Sequence, residues 1–320
     1  MSARYLLRRL AQIVPAIAAI LVAAFVLVHA APGDPVVALA GQSGDAAYYD
    51  FIRTKFGLDR PLPEQLLVYV GHVLRGDFGQ SFVHGRPVLA VVAERLPATL
   101  LLIATALAVS SVAGVFLGVA MARHPDGVAD LTLRTMAVVG FATPSFWLAQ
   151  LAALTLALGT GLFPVQGITD ARHAWTGWRH AVDVLHHLAL PALVLAAGEL
   201  ALTTRLVRVG LRHALATDYL RAARARGLPE RAVVRHALRN ALLPVVTVIG
   251  GRVGMLCAGA ALVETVFAWP GLGQLMLSAI QTRDTPVLLA LFVLVSFAVI
   301  VANVLTDLAY LWLDPRIRYE

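Results

Sequence analysis

Residues 205 to 244 read RLVRVGLRHALATDYLRAARARGLPERAVVRHALRNALLP and lie between two long apolar stretches. This segment holds nine arginines and only two acids, Asp218 and Glu230. A chain that used charge only to fix its orientation would carry a few basic residues at its helix ends. Here the arginines lie on a helix-prone insert with small residues of its own. The segment is therefore predicted to contact a partner.

The composition around this insert indicates the class of protein. Hydrophobic residues make up 59% of the 320 residues and charged residues 14%, with a mean hydropathy of +0.76. A chain of this length with so little polar surface is predicted to be a polytopic membrane protein. The net charge of +7 is almost wholly arginine, since Lys55 is the only lysine, and it does not indicate nucleic-acid binding. Cys257 is the only cysteine, which excludes an intramolecular disulfide.

Six apolar runs are long enough to cross roughly 30 Å of hydrocarbon. They cover approximately residues 10–31, 98–121, 134–158, 188–208, 242–264 and 287–312. Lipid offers the backbone no hydrogen-bond partner, so the predicted fold is all-α with six transmembrane helices. The first run also resembles a cleavable signal peptide, although five further spans follow it. Two glycine pairs, Gly114 with Gly118 and Gly250 with Gly254, predict close helix packing.

The distribution of arginine predicts the orientation of the spans. Basic residues are enriched in cytoplasmic loops, and the loop after the fourth span is strongly basic. Counting spans from that loop places both termini in the cytoplasm. Residues 1–320 are then one transmembrane domain, with an external loop at 32–97 and a cytoplasmic loop at 209–241. An amphipathic pattern at residues 64–74 predicts a short helix in the external loop.

Local signals divide the cytoplasmic loop into two helices. Thr217 and Asp218 are candidate N-caps, alanines follow, and Gly227 with Pro229 supplies a stop signal. A second helix is predicted over residues 230–241. A compact alanine-rich helix flanked by arginines is suited to a groove on another protein. The alternative is a solvated anchor that meets acidic lipid headgroups.

The insert resembles the cytoplasmic EAA loop of ABC importer permeases, and more narrowly that of the dipeptide, oligopeptide and nickel permeases. Residues 218–228 and 236–244 carry this resemblance. Further blocks similar to the family lie in order along the chain, at residues 8–10, 32–35, 56–59, 76–79, 264–273, 283–284 and 314–318. Arg221 stands where the general loop has glutamate, as in the peptide and nickel branch. A glutamate-mediated contact with an ATPase is therefore not expected.

The resemblance implies a type I importer permease in the bacterial inner membrane, with no enzymatic activity of its own. Its implied coupling residues are Asp218, Tyr219, Arg221, Ala222, Ala223, Arg224, Ala225, Arg226, Gly227 and Leu228. The implied partners are a second, similar permease, two cytoplasmic ATPase subunits, an external substrate-binding protein and membrane lipid. ATP and Mg²⁺ are expected on the ATPases and no cofactor on this chain, whose sequence contains no G-x-x-x-x-G-K-[ST] motif. The implied cargo is a peptide or a related solute such as a nickel chelate.

Ionisable residues in or near the spans are candidates for the translocation pathway, since burying them without a partner is costly. Glu199, Arg205, Arg252, Glu264 and Asp307 meet this description. Glu199 and Glu264 are the predicted pathway residues. The alternatives are helix pairing for Glu199 and a structural role for Glu264 at the Trp-Pro-Gly turn that follows it. Arg205 and Arg252 are expected to extend to the membrane interface.

Other classes of function have weaker support. His180, Asp183, His186 and His187 could share a helical face as nickel or zinc ligands, but no metal site is predicted, because interfacial histidines are common. Residues 41–44 spell the pattern of an intramembrane serine protease, yet they lie outside the predicted spans. The competing class is an ATP-independent secondary transporter or channel, which predicts inverted repeats that the sequence does not show.

Overall fold

The computed structural model describes residues 3–30, 46–57, 59–123 and 127–313. Within these residues the chain is helical and contains no β-strand, which confirms the predicted all-α fold. The helices are α1 (Ala3–Ala30), α2 (Ala46–Phe56), α3 (Leu62–Leu74), α4 (Val88–Arg123), α5 (Val128–Ala142), α6 (Ser145–Ala152), α7 (Gly177–Leu215), α8 (Asp218–Ala225), α9 (Glu230–Gly251), α10 (Val253–Val266), α11 (Leu272–Thr282) and α12 (Thr285–Leu313). A π-helical segment, Ala153–Gly159, continues α6.

Four helices in the described part of the chain are long and apolar enough to cross a membrane. They are α4, α7, α9 and the first 22 residues of α12. A fifth span results if the bent pair Asp130–Ala142 and Ser145–Gly159 is counted as one. The apolar stretches Pro15–Leu27 and Gly254–Val266 are shorter. The chain therefore has the helices of a multi-pass membrane protein, whereas the predicted count of six spans stays a prediction.

The third and fifth predicted spans are each interrupted. The axis of the third turns by 105° between α5 and α6, where Thr143 is extended and Pro144 follows. Proline lacks an N–H donor and disfavours a helical residue before it, so α5 ends there. The fifth predicted span is divided at Arg252 into α9 and α10.

The predicted end of the second cytoplasmic helix at residue 241 is wrong. Helix α9 instead runs from Glu230 through Pro244 to Gly251. A proline inside a helix removes one hydrogen bond, which neighbouring groups can offset in a membrane segment. In the loop predicted to be external, α3 confirms the amphipathic helix and begins directly after Pro61.

The chain divides into two compact units. Among the described residues, the first contains those up to Pro97 and Gly271–Ile300, and the second contains those from Ala98 to Pro270 and from Val301 to Leu313. The apolar core of the first unit joins the beginning of α4 to α11 and the beginning of α12, through residues such as Val91, Leu275 and Leu291.

The second unit is held partly by the close contact of α4 with α7. A Cβ atom on Gly114 would lie 2.8 Å from the Cβ of Thr203, and one on Gly118 would lie 2.7 Å from the Cβ of Val207. Real Cβ atoms essentially never approach so closely, so both positions require glycine. The predicted packing role of this glycine pair is confirmed.

Candidate functional site: the arginine-rich insert

Helix α8 rests on a small apolar cluster of its own. Leu220 is the buried residue of α8, with 1% of its surface exposed. It packs with buried residues from α4, α7 and α9, namely Ala122, Leu211, Val233, Ala237 and Ala241. Burying a leucine side chain contributes roughly 1.5–3 kcal/mol. The cluster therefore fixes the position of α8 relative to the ends of three longer helices.

Polar contacts brace α8 at both ends. Arg224 donates from Nη2 and Nε to the carboxylate of Glu230, at 3.0 and 3.2 Å, and from Nη1 to the carbonyl oxygen of Leu215, at 3.3 Å. The hydrogen bond that Arg224 donates to Glu230 raises the pKa of the Arg224 guanidinium. The amide of Asn240 donates to the hydroxyl of Tyr219 at 2.8 Å. Arg224 therefore links α7 to α9, and Tyr219 adds a second link to α9.

The predicted boundaries of this helix are confirmed. Thr217 is the N-cap in extended conformation, although its hydroxyl donates to the carbonyl of Ala214 instead of capping a helical N–H. Gly227 follows the helix with a φ of +78°, which a residue with a Cβ adopts only under strain. The N–H of Leu228 then bonds the carbonyl oxygen of Ala223 at 3.2 Å. The glycine therefore allows the tight turn into α9.

The predicted coupling residues do not all face the same way. Ala223 and Leu228 are half-buried against the apolar cluster. The exposed members are Asp218, Tyr219, Arg221, Ala222, Arg224, Ala225, Arg226 and Gly227. The surface available to a partner therefore consists of small alanines between arginines, with Tyr219 at one edge. The coupling role of all ten residues stays a prediction.

Glu199 forms an ion pair inside the helical bundle. Its carboxylate lies 2.8 and 2.9 Å from Nε of Arg252, and 6% of the residue is exposed. The Arg252 guanidinium also lies 6.0 Å from the centre of the Phe141 ring. This pairing holds Arg252 at the break between α9 and α10, and its expected extension to the membrane interface stays a prediction. A pathway role for Glu199 stays a prediction, and the contact found is the alternative, helix pairing.

Glu264 is fully buried near the end of α10. Its side chain accepts a hydrogen bond from Thr99 Oγ1 at 2.6 Å, and its backbone carbonyl accepts one from the N–H of Trp269 at 2.8 Å. The Trp269 indole donates to the carbonyl of Ala98 at 2.9 Å. These bonds hold the turn after α10, which is the structural alternative for Glu264. Its predicted pathway role is not tested by them.

A further ion pair in the second unit was not predicted from the sequence. Arg208 donates from Nε and Nη2 to Asp130, at 2.7 and 2.6 Å, and the Asp130 side chain has no exposed surface. This bidentate geometry joins α5 to α7. An acid at the beginning of an apolar run was the available signal, since such a residue requires a partner.

A buried carboxylate in the first unit was also missed. Asp284, which is 2% exposed, accepts a hydrogen bond from the hydroxyl of Ser81. It also accepts the N–H groups of Phe82 and Val83, at 3.1 and 3.2 Å. Asp284 therefore anchors the turn before α4 to the turn between α11 and α12. In the sequence, Asp284 stands out only as part of the family block at residues 283–284.

The histidine constellation does not form a metal site in the described residues, where no three histidine, cysteine or acidic side chains are placed to hold an ion. His186 bonds the carbonyl oxygen of Leu162 at 2.9 Å, and His187 Nδ1 contacts the backbone and the carboxylate of Asp183, at 2.9 and 3.3 Å. Three predicted features lie outside the residues that the structure describes. They are the protease-like segment 41–44, the family blocks at 32–35 and 314–318, and the side chain of Asp307.

The helical fold with several apolar spans and a braced, arginine-rich insert is that of a polytopic membrane protein. Residues 114–319 match the family described as binding-protein-dependent transport system inner membrane component, and residues 2–103 match the N-terminal part of such membrane components. The chain belongs to this family and is a multi-pass protein of the bacterial inner membrane.

Two full-length relatives support the assignment. The chain is 37% identical over 336 residues to the dipeptide transport system permease protein DppB of Escherichia coli, with 99% of each chain covered. It is 36% identical over 319 residues to the oligopeptide transport system permease protein AppB of Bacillus subtilis, with 99% of this chain and 100% of the relative covered. The predicted family is therefore confirmed from end to end.

Proposed function

We propose that this chain is the permease subunit of an ATP-driven importer and forms half of a translocation pathway for peptides. Membership of a binding-protein-dependent transport family supports the transport role. The names of the two relatives, a dipeptide and an oligopeptide permease, support peptides as the cargo. An external binding protein delivers the peptide, and a second, similar permease completes the pathway.

The observation that carries this proposal is the bracing of α8 between α7 and α9. An ATPase that closes on ATP and Mg²⁺ moves whatever is seated in its cleft. Because Leu220 is buried in the shared cluster and Arg224 bonds both neighbouring helices, a displacement of α8 passes directly into α7 and α9. Packed elements of this kind move as rigid bodies. ATP hydrolysis in the partner thus becomes movement of helices inside the membrane.

The proposed arrangement has six spans, with both termini in the cytoplasm. The bent pair α5 and α6 forms the third span, and α9 with α10 forms the fifth. Helix α1 supplies the first span, while α4, α7 and α12 supply the others. This arrangement places α8 on the cytoplasmic side, where an ATPase can reach it. It agrees with the excess of arginine in the insert.

The coupling step is tested by substituting an exposed alanine on α8. Ala222→Glu leaves the apolar cluster intact but adds bulk and charge to the surface offered to the ATPase. We expect ATP-dependent peptide uptake into proteoliposomes to fall at least about tenfold, as for loss of a central interface contact. Ala223→Glu is a poorer test, because Ala223 is half-buried and its replacement also disturbs the cluster.

Arg235→Gln, an exposed change on α9, is the matched control for insertion and assembly. Uptake equal to wild type in the Ala222→Glu assembly, at equal recovery of the ATPases, would refute the coupling role. Peptide uptake by the chain alone in liposomes without ATP would instead establish the competing class, a secondary transporter or channel.

A further inference from the structure

A cavity of about 430 Å³ lies between α5 and α7, beside the end of α4. Its walls are largely apolar and include Met121, Val138, Phe141, Leu202 and Val209. Three arginines, Arg134, Arg205 and Arg208, line it as well, and no acidic residue of the described chain does. The cavity therefore combines a hydrocarbon-like wall with a concentrated positive charge.

The three arginines differ in their partners. Arg208 is held by Asp130 through two short hydrogen bonds, so its charge is compensated. Arg134 and Arg205 are exposed, and within the described residues neither makes a side-chain hydrogen bond or an ion pair. Two positive charges thus remain available at the cavity. Guanidinium groups bind phosphate well, because their planar donors match its oxygens.

The position of these charges along the helices indicates what they bind. Arg134 follows Gly127, the N-cap of α5, by seven residues, which is about 10 Å along the axis. Arg205 precedes Leu215, the last residue of α7, by ten residues, or about 15 Å. Both helix ends adjoin the short connections on the side of the insert. Long arginine side chains at this depth can reach a headgroup layer, while Val138, Phe141 and Leu202 lie farther from these helix ends, toward the acyl chains.

We infer that this cavity binds an anionic phospholipid, with its phosphate on Arg134 and Arg205 and an acyl chain against Val138 and Phe141. Basic pockets between membrane helices are suited to anionic headgroups. A free phosphate ion would leave the apolar wall unused, and a zwitterionic lipid brings no net negative charge to offset the two arginines. The inference goes beyond the proposed function. It relies on the proposed orientation only for the choice of the cytoplasmic leaflet.

The test is a lipid titration of the full chain, purified in mild detergent and followed by native mass spectrometry. The probes are phosphatidylglycerol, phosphatidylcholine with the same acyl chains, and inorganic phosphate as competitor. We expect wild type to retain phosphatidylglycerol in preference to the other lipid, and inorganic phosphate not to displace it. The double variant Arg134→Gln with Arg205→Gln should bind phosphatidylglycerol roughly thirtyfold more weakly, from the loss of two basic contacts.

Matched variants separate this site from a general effect of charge. Arg231→Gln with Arg235→Gln removes two exposed arginines from α9 and should change the affinity by less than about threefold. The double lysine variant at Arg134 and Arg205 keeps both charges and should retain binding, which guards against misfolding of the glutamine variant. Ala137→Trp fills the cavity without removing an arginine and should also weaken binding.

Equal binding of the two lipids by wild type would overturn the inference. Unchanged phosphatidylglycerol affinity in the glutamine or the tryptophan variant would do so too. If binding of a second permease subunit excludes the lipid, the cavity is covered by a protein surface and not by lipid. None of these outcomes bears on peptide uptake, so the proposed function stands or fails separately.

Discussion

Replacement of Asp284 by alanine should free the turn that precedes α4. The carboxylate is buried and accepts hydrogen bonds from the Ser81 hydroxyl and from the N–H groups of Phe82 and Val83. Alanine removes all three acceptor contacts at once. Asparagine keeps one oxygen but places an NH₂ group where the second carboxylate oxygen accepted a hydrogen bond. The alanine variant is therefore the severe perturbation and the asparagine variant the partial one.

The expected magnitude follows from these contacts. A hydrogen bond to a charged group contributes about 1.5–3 kcal/mol, so three bonds could stabilise the turn by more than 4.5 kcal/mol in a dry site. The two backbone donors are only partly buried, and water can replace part of what they lose. We expect a loss of about 3 kcal/mol for Asp284→Ala and about half of that for Asp284→Asn. Since 1.36 kcal/mol is a factor of ten, the alanine variant should open the turn roughly 150 times more often.

Hydrogen exchange measured by mass spectrometry on a peptide that covers residues 80–87 reads this opening directly. The amides of Phe82 and Val83 should exchange about two orders of magnitude faster in Asp284→Ala. Asp77→Ala is the control, because Asp77 is exposed and bonds only within its own turn, to the N–H of Gly79 and to His72. Wild-type protection of both amides in the alanine variant would refute the anchoring role of Asp284.

Three further substitutions test other contacts. Glu199→Gln leaves the Arg252 guanidinium without its counter-ion, and the resulting loss of about 3 kcal/mol should lower the thermal unfolding midpoint in detergent by several degrees. Adding Arg252→Met should restore part of that stability, whereas independent, additive effects of the two substitutions would show that the pair is not coupled. Gly114→Leu should destabilise the chain through overlap with Thr203, and Thr203→Gly, which removes the contacted Cβ, should relieve part of it; a Gly114→Leu variant as stable as wild type would refute the close contact. Burial raises the pKa of Tyr69 to about 12, and its hydroxyl has no hydrogen-bond partner among the described residues. Tyr69→Phe should therefore leave the thermal unfolding midpoint unchanged or raise it, and a clear decrease would show that the hydroxyl makes a hydrogen bond.

Apolar length located most of the membrane helices but not their interruptions. The mean hydropathy of residues 134–158 depends only on which residues the segment contains, so it does not reveal a bend. The bend lies at Pro144, which lacks the N–H group that a continuous helix needs. Pro244, by contrast, lies inside α9 and does not interrupt that helix. The two cases differ in how the surroundings satisfy the backbone, which a local pattern does not contain.

The insert was easier to predict than the buried charges. The boundaries of α8 depend on neighbours in sequence, from Thr217 to Gly227, so caps and stop signals identify them. The partner of Glu199 lies 53 residues away, and the bond between Ser81 and Asp284 joins residues 203 positions apart. A sequence shows that a buried acid needs a partner. It does not show which one, because that depends on how the helices pack.

The glycine contact between α4 and α7 also restricts where a solute can pass. At Gly114 and Gly118 there is no room for one additional methyl group before it meets Thr203, Val207 or the carbonyl oxygen of Thr204. A peptide backbone is far wider than a methyl group, and water itself has no space there. The contact between these two helices is therefore closed to solutes at this turn, and a solute that moves along α7 there has to use another of its faces.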